Sequence, residues 1–174
     1  QYVLRAVHMD ERQHDKIGSF SGGMKQRIGI AQTLLHLPRI MVVDEPTAGL
    51  DPRERIRFRN LLVELSRERI VIFSTHIIED ISISCNRVAV LDRGMLKYLG
   101  EPNEMAKLAE GRVWQFMVLP TEFEAMQQQH LVVHHIRVQD KIRVRCIAEN
   151  APVAEAVSVQ PTLEDSYLWL LKKK

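Results

Sequence analysis

Cysteine is scarce in this chain: Cys85 and Cys146 are the only two among 174 residues. They lie far apart with no Cys-x-x-Cys spacing, which points to reduced thiols rather than a disulfide framework or a zinc site. Long apolar runs are missing too. None approaches the roughly 20 residues that span a bilayer, and no stretch reads as a signal peptide. Charge of one sign is also lacking. The net charge is +2, with sixteen basic and fifteen acidic residues in 1–111 and eight and seven in 112–174. That balance speaks against a nucleic-acid partner. A further absence is more telling. None of the eight glycines (18, 22, 23, 29, 49, 94, 100 and 111) is followed by lysine. The phosphate loop Gly-x-x-x-x-Gly-Lys-Ser/Thr is therefore not in this sequence. The first residue is glutamine, so the chain is expected to start inside a longer polypeptide.

What is present suits a folded protein: 45% hydrophobic and 26% charged residues, enough for one ordinary domain or two small ones. Met24, Ile28, Ala31 and Leu35 recur at helical spacing and predict a helix from about Gly22 to His36, ended by Pro38. Residues 40–44 and 70–74 are short apolar runs of the kind buried on both faces of a parallel sheet. Between them Asp51, Pro52 and Glu54 mark a helix start, followed by a buried stripe of Phe58, Leu61, Leu62 and Leu65. Strand, helix, strand is a βαβ crossover. A shorter helix is expected after His76, burying Ile77, Ile78 and Ile81. A hairpin should turn at Asp92-Arg93-Gly94, and Pro102 should start a helix that stops near Gly111. From Arg112 the texture changes to strands (113–119, 131–138, 141–147), a helix over 121–129 and a last helix over 163–171. The expected organisation is an α/β domain over 1–111 and a small α+β appendage over 112–174. The terminal lysines, 172–174, are expected to be solvated.

Asp44 and Glu45 end the first apolar run, where open α/β sheets place their ligands. Two adjacent buried carboxylates without partners are costly. A magnesium ion and a water would supply those partners, with Asp44 holding the metal and Glu45 accepting a proton from the water. The plainer reading is an acid pair capping the next turn. His76 follows the second strand, so parallel pairing would bring it near Glu45, either to touch the same phosphate or as a polar neighbour. Ser21-Gly22-Gly23 opens a helix with two glycines, each costing up to about 1 kcal/mol against alanine. Either this is a tolerated joint with Ser21 as N-cap, or a phosphate approaches the helix N-terminus. Asp51 is a helix cap, with a ligand role for its loop left open.

Together, Ser21-Gly22-Gly23, the strand ending in Asp44-Glu45, Gly49-Leu50-Asp51 and Ser74-Thr75-His76 resemble the second half of an ATP-binding cassette (ABC) ATPase, over about residues 15–100. The resemblance implies a partial P-loop NTPase sheet with flanking helices that lacks the phosphate-loop strand. It implies ATP and Mg2+ as cofactors. Residues 20–24 would be the signature, 40–45 the Walker B strand, 48–51 the D-loop and His76 the switch histidine. Two such cassettes dimerise head to tail, so Ser21, Gly22 and Gly23 would face the γ-phosphate of the partner's ATP. Glu45 would be the general base, and His76 would touch the γ-phosphate within its own cassette. Met24 stands where the commonest signature has glutamine, a feature of ABC-2 type drug, bacteriocin and antibiotic exporters. Pro161-Thr162-Leu163-Glu164-Asp165 is similar to a segment near the end of those cassettes.

The resemblance implies an exporter's ATPase subunit on the cytoplasmic face of the cell membrane, working with a separate transmembrane permease. Lacking the phosphate loop, the chain is expected to be inactive alone. Two other readings are a soluble ABC ATPase outside transport and a non-catalytic interaction fragment.

Overall fold

The computed structural model describes residues 1–172; the final two lysines of the expected solvated end lie outside them. The chain divides into two compact units, Gln1–Ser84 and a second beginning at Cys85.

The first unit runs α1 (Tyr2–Ala6), α2 (Gly22–Leu34), β1 (Ile40–Val43), α3 (Pro52–Leu65), β2 (Ile70–Phe73) and α4 (Ile78–Ser84). β1 and β2 pair in parallel from Ile40↔Ile70 to Val43↔Phe73, with α3 as the crossover between them. Asp51 caps α3 by accepting from the Glu54 amide at 2.9 Å, and Pro52 occupies the first turn. Phe58, Leu61, Leu62 and Leu65 are buried, as the periodicity predicts. They share one core with Val7, Ile30, Ala31, Leu34 and Met41.

The expected helix α2 is present: Arg27, Ile30, Ala31 and Leu34 are buried, Met24 and Ile28 pack against the same core, and Leu35 is exposed. The buried Arg27 pairs with Glu54 of α3, 2.8 Å away. Two expectations change here. After His76, Ile77, Ile78 and Ile81 are only half-buried, and Asp80 is the buried residue. Finally, β1 and β2 bury one face instead of two. Met41 points into the core, with Val43, Val71 and Phe73 against it. Ile40, Val42, Ile70 and Ile72 alternate to the other face and are exposed, Val42 at 76%. Within this unit the core helices lie on one side of a two-stranded sheet, so the second face has nothing to pack on.

The second unit opens with the antiparallel hairpin β3 (Val88–Asp92) and β4 (Met95–Gly100). Its turn residues Arg93 and Gly94 both have positive φ (49° and 77°), the demand of a tight hairpin that glycine meets without strain. Next come α5 (Pro102–Ala106), β5 (Val113–Val118), α6 (Pro120–Gln129), β6 (Leu131–Val138), β7 (Lys141–Ile147), β8 (Val157–Ser158) and α7 (Leu163–Lys172). The four later strands form an antiparallel sheet in the order β6-β7-β5-β8. Ser166 of α7 donates to the Ala106 carbonyl (2.7 Å) and accepts from the Ala109 amide (3.2 Å). Those contacts tie residues 102–109 to the later elements, within the compact unit that begins at Cys85. Cys146 is fully buried, and burial pushes its thiol pKa up to about 11, which fits an inert core thiol.

Candidate functional site

Parallel register carries the ends of β1 and β2 to the same place. Ser74 follows β2 and donates its hydroxyl to Asp44 Oδ1. The Ser74 hydroxyl oxygen also accepts from the Glu45 amide at 3.0 Å, and the Ser74 carbonyl accepts from that amide at 3.2 Å. Ser74 thus holds both acids, a role the sequence did not reveal although Ser74 sits within one of the motifs. Glu45 adopts φ +44°, a left-handed backbone that is unfavourable for a non-glycine residue and persists where its surroundings fix it. The turn aims its side chain at His76: Oε2 lies 2.9 Å from Nδ1. Both groups are open to solvent, with side chains 36% and 72% exposed. Asp44, Glu45 and His76 are therefore brought together, as the strand-end placement predicts.

Below this open pair lies a buried layer. The Thr47 hydroxyl donates to Asp80 Oδ2 at 2.5 Å, and Arg59 Nη1 approaches Oδ1 at 3.4 Å. Thr47 and Asp80 are each 1% exposed. Sequence reasoning missed them. The available signal was a polar residue, Asp80, among the isoleucines of a short helix.

Ser21, Gly22 and Gly23 occupy a different position, the N-terminus of α2. Ser21 caps the helix by accepting from the Met24 amide (3.2 Å). The helix reaches the loop after Glu45 through Gln26, whose Nε2 donates to the Ala48 carbonyl at 3.4 Å. The two glycines are not equivalent. A methyl at Gly23 would come within 2.8 Å of Glu54 Oε2 and 3.3 Å of its Cβ; one at Gly22 would meet open space. Glu54 has little room to yield, since Arg27 and Arg57 grip it at 2.8 and 2.9 Å. Gly23 thus has a packing reason, the close approach of α2 to α3, whereas among the described residues nothing would lie within 4 Å of a methyl at Gly22. Gly23→Ala should destabilise by about 1–3 kcal/mol through overpacking. Gly22→Ala should be neutral or stabilise by up to about 1 kcal/mol. Urea unfolding followed by circular dichroism separates the two.

For magnesium the donor set is sparse: among the described residues no group of three or more His, Cys, Asp or Glu side chains converges. That suits an ion bound through one carboxylate, waters and nucleotide phosphates, the usual habit of magnesium in ATPases. Asp44, held by Ser74 at the strand end, fits this.

Known proteins resemble this chain. The family description "ABC transporter" matches residues 1–48. A bacitracin transport ATP-binding protein of Bacillus licheniformis is 30% identical, over 97% of this chain and 60% of its own length. An uncharacterized ABC transporter ATP-binding protein of Bacillus subtilis (strain 168) is 37% identical, over 67% of this chain and 39% of its own. The chain belongs to the ABC transporter ATP-binding proteins. Among solved ABC structures, the cbiO component of the Clostridium perfringens cbiONQ transporter complex superposes with a TM-score of 0.56 at 32% identity. That match covers 59% of this chain and 42% of that one. Mixed α/β architecture is shared over that span. This ABC chain covers less than two thirds of the length of each of these relatives.

Proposed function

We propose that this chain supplies the hydrolytic centre and the signature helix of an ABC exporter's ATPase subunit. The observation that carries the reading is the Glu45–His76 contact of 2.9 Å beside Asp44 at the ends of two parallel strands. Glu45 is the general base, accepting a proton from the attacking water. By accepting from His76 Nδ1–H, Glu45 orients the ring and leaves Nε2 as the nitrogen that contacts the γ-phosphate. Asp44 would hold magnesium, which when bound neutralises phosphate charge. Ser21 and Gly22, at a helix N-terminus with open space before it, bind the γ-phosphate of a nucleotide held by a second cassette. Gly23 does so only through its backbone, since its Cα is committed to Glu54. Asp51 spends its carboxylate on capping α3, so its D-loop role is to fix the loop's path.

The phosphate grip comes from a strand and loop outside this sequence. The bare apolar face of β1 and β2 supports that reading, because exposed parallel sheet is unusual. No helix among the described residues is long and apolar enough to cross a membrane. Transport runs through a separate permease in this reading, with the subunit held at its cytoplasmic face; similarity to a component of the cbiONQ transporter complex supports it. Similarity to the bacitracin transport protein supports a drug or antibiotic as cargo.

The signature acts in trans, so the chain can be tested as it stands. Mixed with an ABC cassette whose phosphate loop is intact but whose own signature is disabled, residues 1–174 should restore ATP turnover. Ser21→Arg should abolish the rescue. Rescue that is indifferent to Ser21 would overturn the assignment.

A further inference from the structure

Beyond the contacts of Ser74, two side-chain pairs join the loop after β1 to the segment after β2. One is the exposed Glu45–His76 pair. The other is the Thr47–Asp80 hydrogen bond, two residues beyond Glu45 and four beyond His76, with both groups 1% exposed. An exposed ion pair contributes little, because water and salt screen it and two mobile side chains must be ordered. A hydrogen bond to a buried carboxylate is much stronger, and losing it leaves that carboxylate short of a partner. Here the loss would be felt, since the remaining side-chain contact to Asp80 is the long 3.4 Å approach of Arg59. Glu45 meanwhile holds a backbone conformation that must be imposed from outside. Its amide is fixed by Ser74 on one side. On the other, Thr47 anchors the outgoing loop, and the Ala48 amide reaches back to the Glu45 carbonyl at 3.2 Å.

We propose that Thr47 and Asp80 are positioning residues for the hydrolytic centre: their buried hydrogen bond sets the separation of Glu45 and His76. The inference rests on the catalytic reading of that pair. Thr47→Val keeps the side chain's shape and removes the donor; Thr47→Ser keeps the donor.

The test is the ring signals of His76 in NMR spectra of the labelled chain, with Glu45→Gln recording the signature of a broken contact. Thr47→Val should move the His76 signals to their Glu45→Gln positions, and Thr47→Ser should leave them where the unmodified chain has them. Thr47→Val that is folded and leaves His76 unmoved overturns the positioning role while sparing the catalytic reading. A Glu45→Gln chain with unmoved His76 signals removes the paired centre itself, and the positioning role with it. If Thr47→Val does not fold, the unmodified chain is warmed instead. The Thr47 hydroxyl proton should become fast-exchanging at the temperature where His76 shifts toward its Glu45→Gln position. Hydroxyl exchange that precedes any His76 shift overturns the proposal.

Discussion

Glu45→Gln lowers kcat for ATP hydrolysis by about 10²–10⁴ in a cassette that joins this chain to a phosphate-loop segment, and leaves nucleotide affinity near that of the parent. The magnitude is what a positioned general base contributes. The substitution is nearly isosteric. Its amide keeps the shape but loses the carboxylate that pairs with His76 Nδ1, and it cannot accept a proton from water. Ser74 holds the Glu45 backbone through the amide, not the side chain, so the strained turn should survive. Single-turnover kinetics with a separate nucleotide-binding measurement check this. A tenfold or smaller loss in kcat would remove Glu45 from the chemistry. A matching loss of affinity would mean that it serves binding instead.

Asp165→Ala costs about 3–5 kcal/mol of stability, the penalty for stranding one partner of a buried ion pair. Asp165 is fully buried and Arg145 grips it with two bonds, at 3.1 and 2.6 Å. It also closes a reciprocal cap at the start of α7. The Thr162 amide donates to its carboxylate at 2.7 Å, and its own amide donates to the Thr162 hydroxyl at 3.2 Å. Burial alone would raise the carboxyl's pKa; the bonds from Arg145 and Thr162 outweigh it and hold it below the ordinary value. A depressed pKa means that the unfolded chain takes up the proton first. The contribution is therefore full above the unfolded carboxylate's pKa of about 4 and is lost as pH falls through the lower folded value. Urea unfolding by tryptophan fluorescence reads it cleanly, since Trp114 and Trp169 both lie in the second unit. A loss under about 1 kcal/mol at neutral pH, or an equal effect below pH 3, would contradict the account.

Much of this was legible because it depends on local spacing. The stripe on α3 could be read because an amphipathic helix packs by its own period. The meeting of Glu45 and His76 could be read because parallel pairing aligns strand ends. The helix α2 could be read from its apolar spacing, but burial of Arg27 follows from a partner on another helix and leaves no trace in that periodicity. An apolar run such as 40–44 cannot say whether this chain covers both of its faces. The Ser166 contacts could not be read, since their partners lie far away in sequence. The packing role of Gly23 and the Thr47–Asp80 bond were hidden for the same reason. Both are set by how α2 and α4 lie against neighbouring elements.

The central claim is that Asp44, Glu45 and His76 form a competent hydrolytic centre whose phosphate grip lies outside these residues. Its most direct test is steady-state ATP turnover by residues 1–174 alone, at saturating magnesium and ATP, beside the same chain joined to a phosphate-loop segment. A phosphate loop supplies several charge-assisted hydrogen bonds of about 1.5–3 kcal/mol each. The account therefore predicts no turnover above background for the chain alone and Glu45-dependent turnover once the segment is joined. Hydrolysis by residues 1–174 alone that Glu45→Gln abolishes would contradict it.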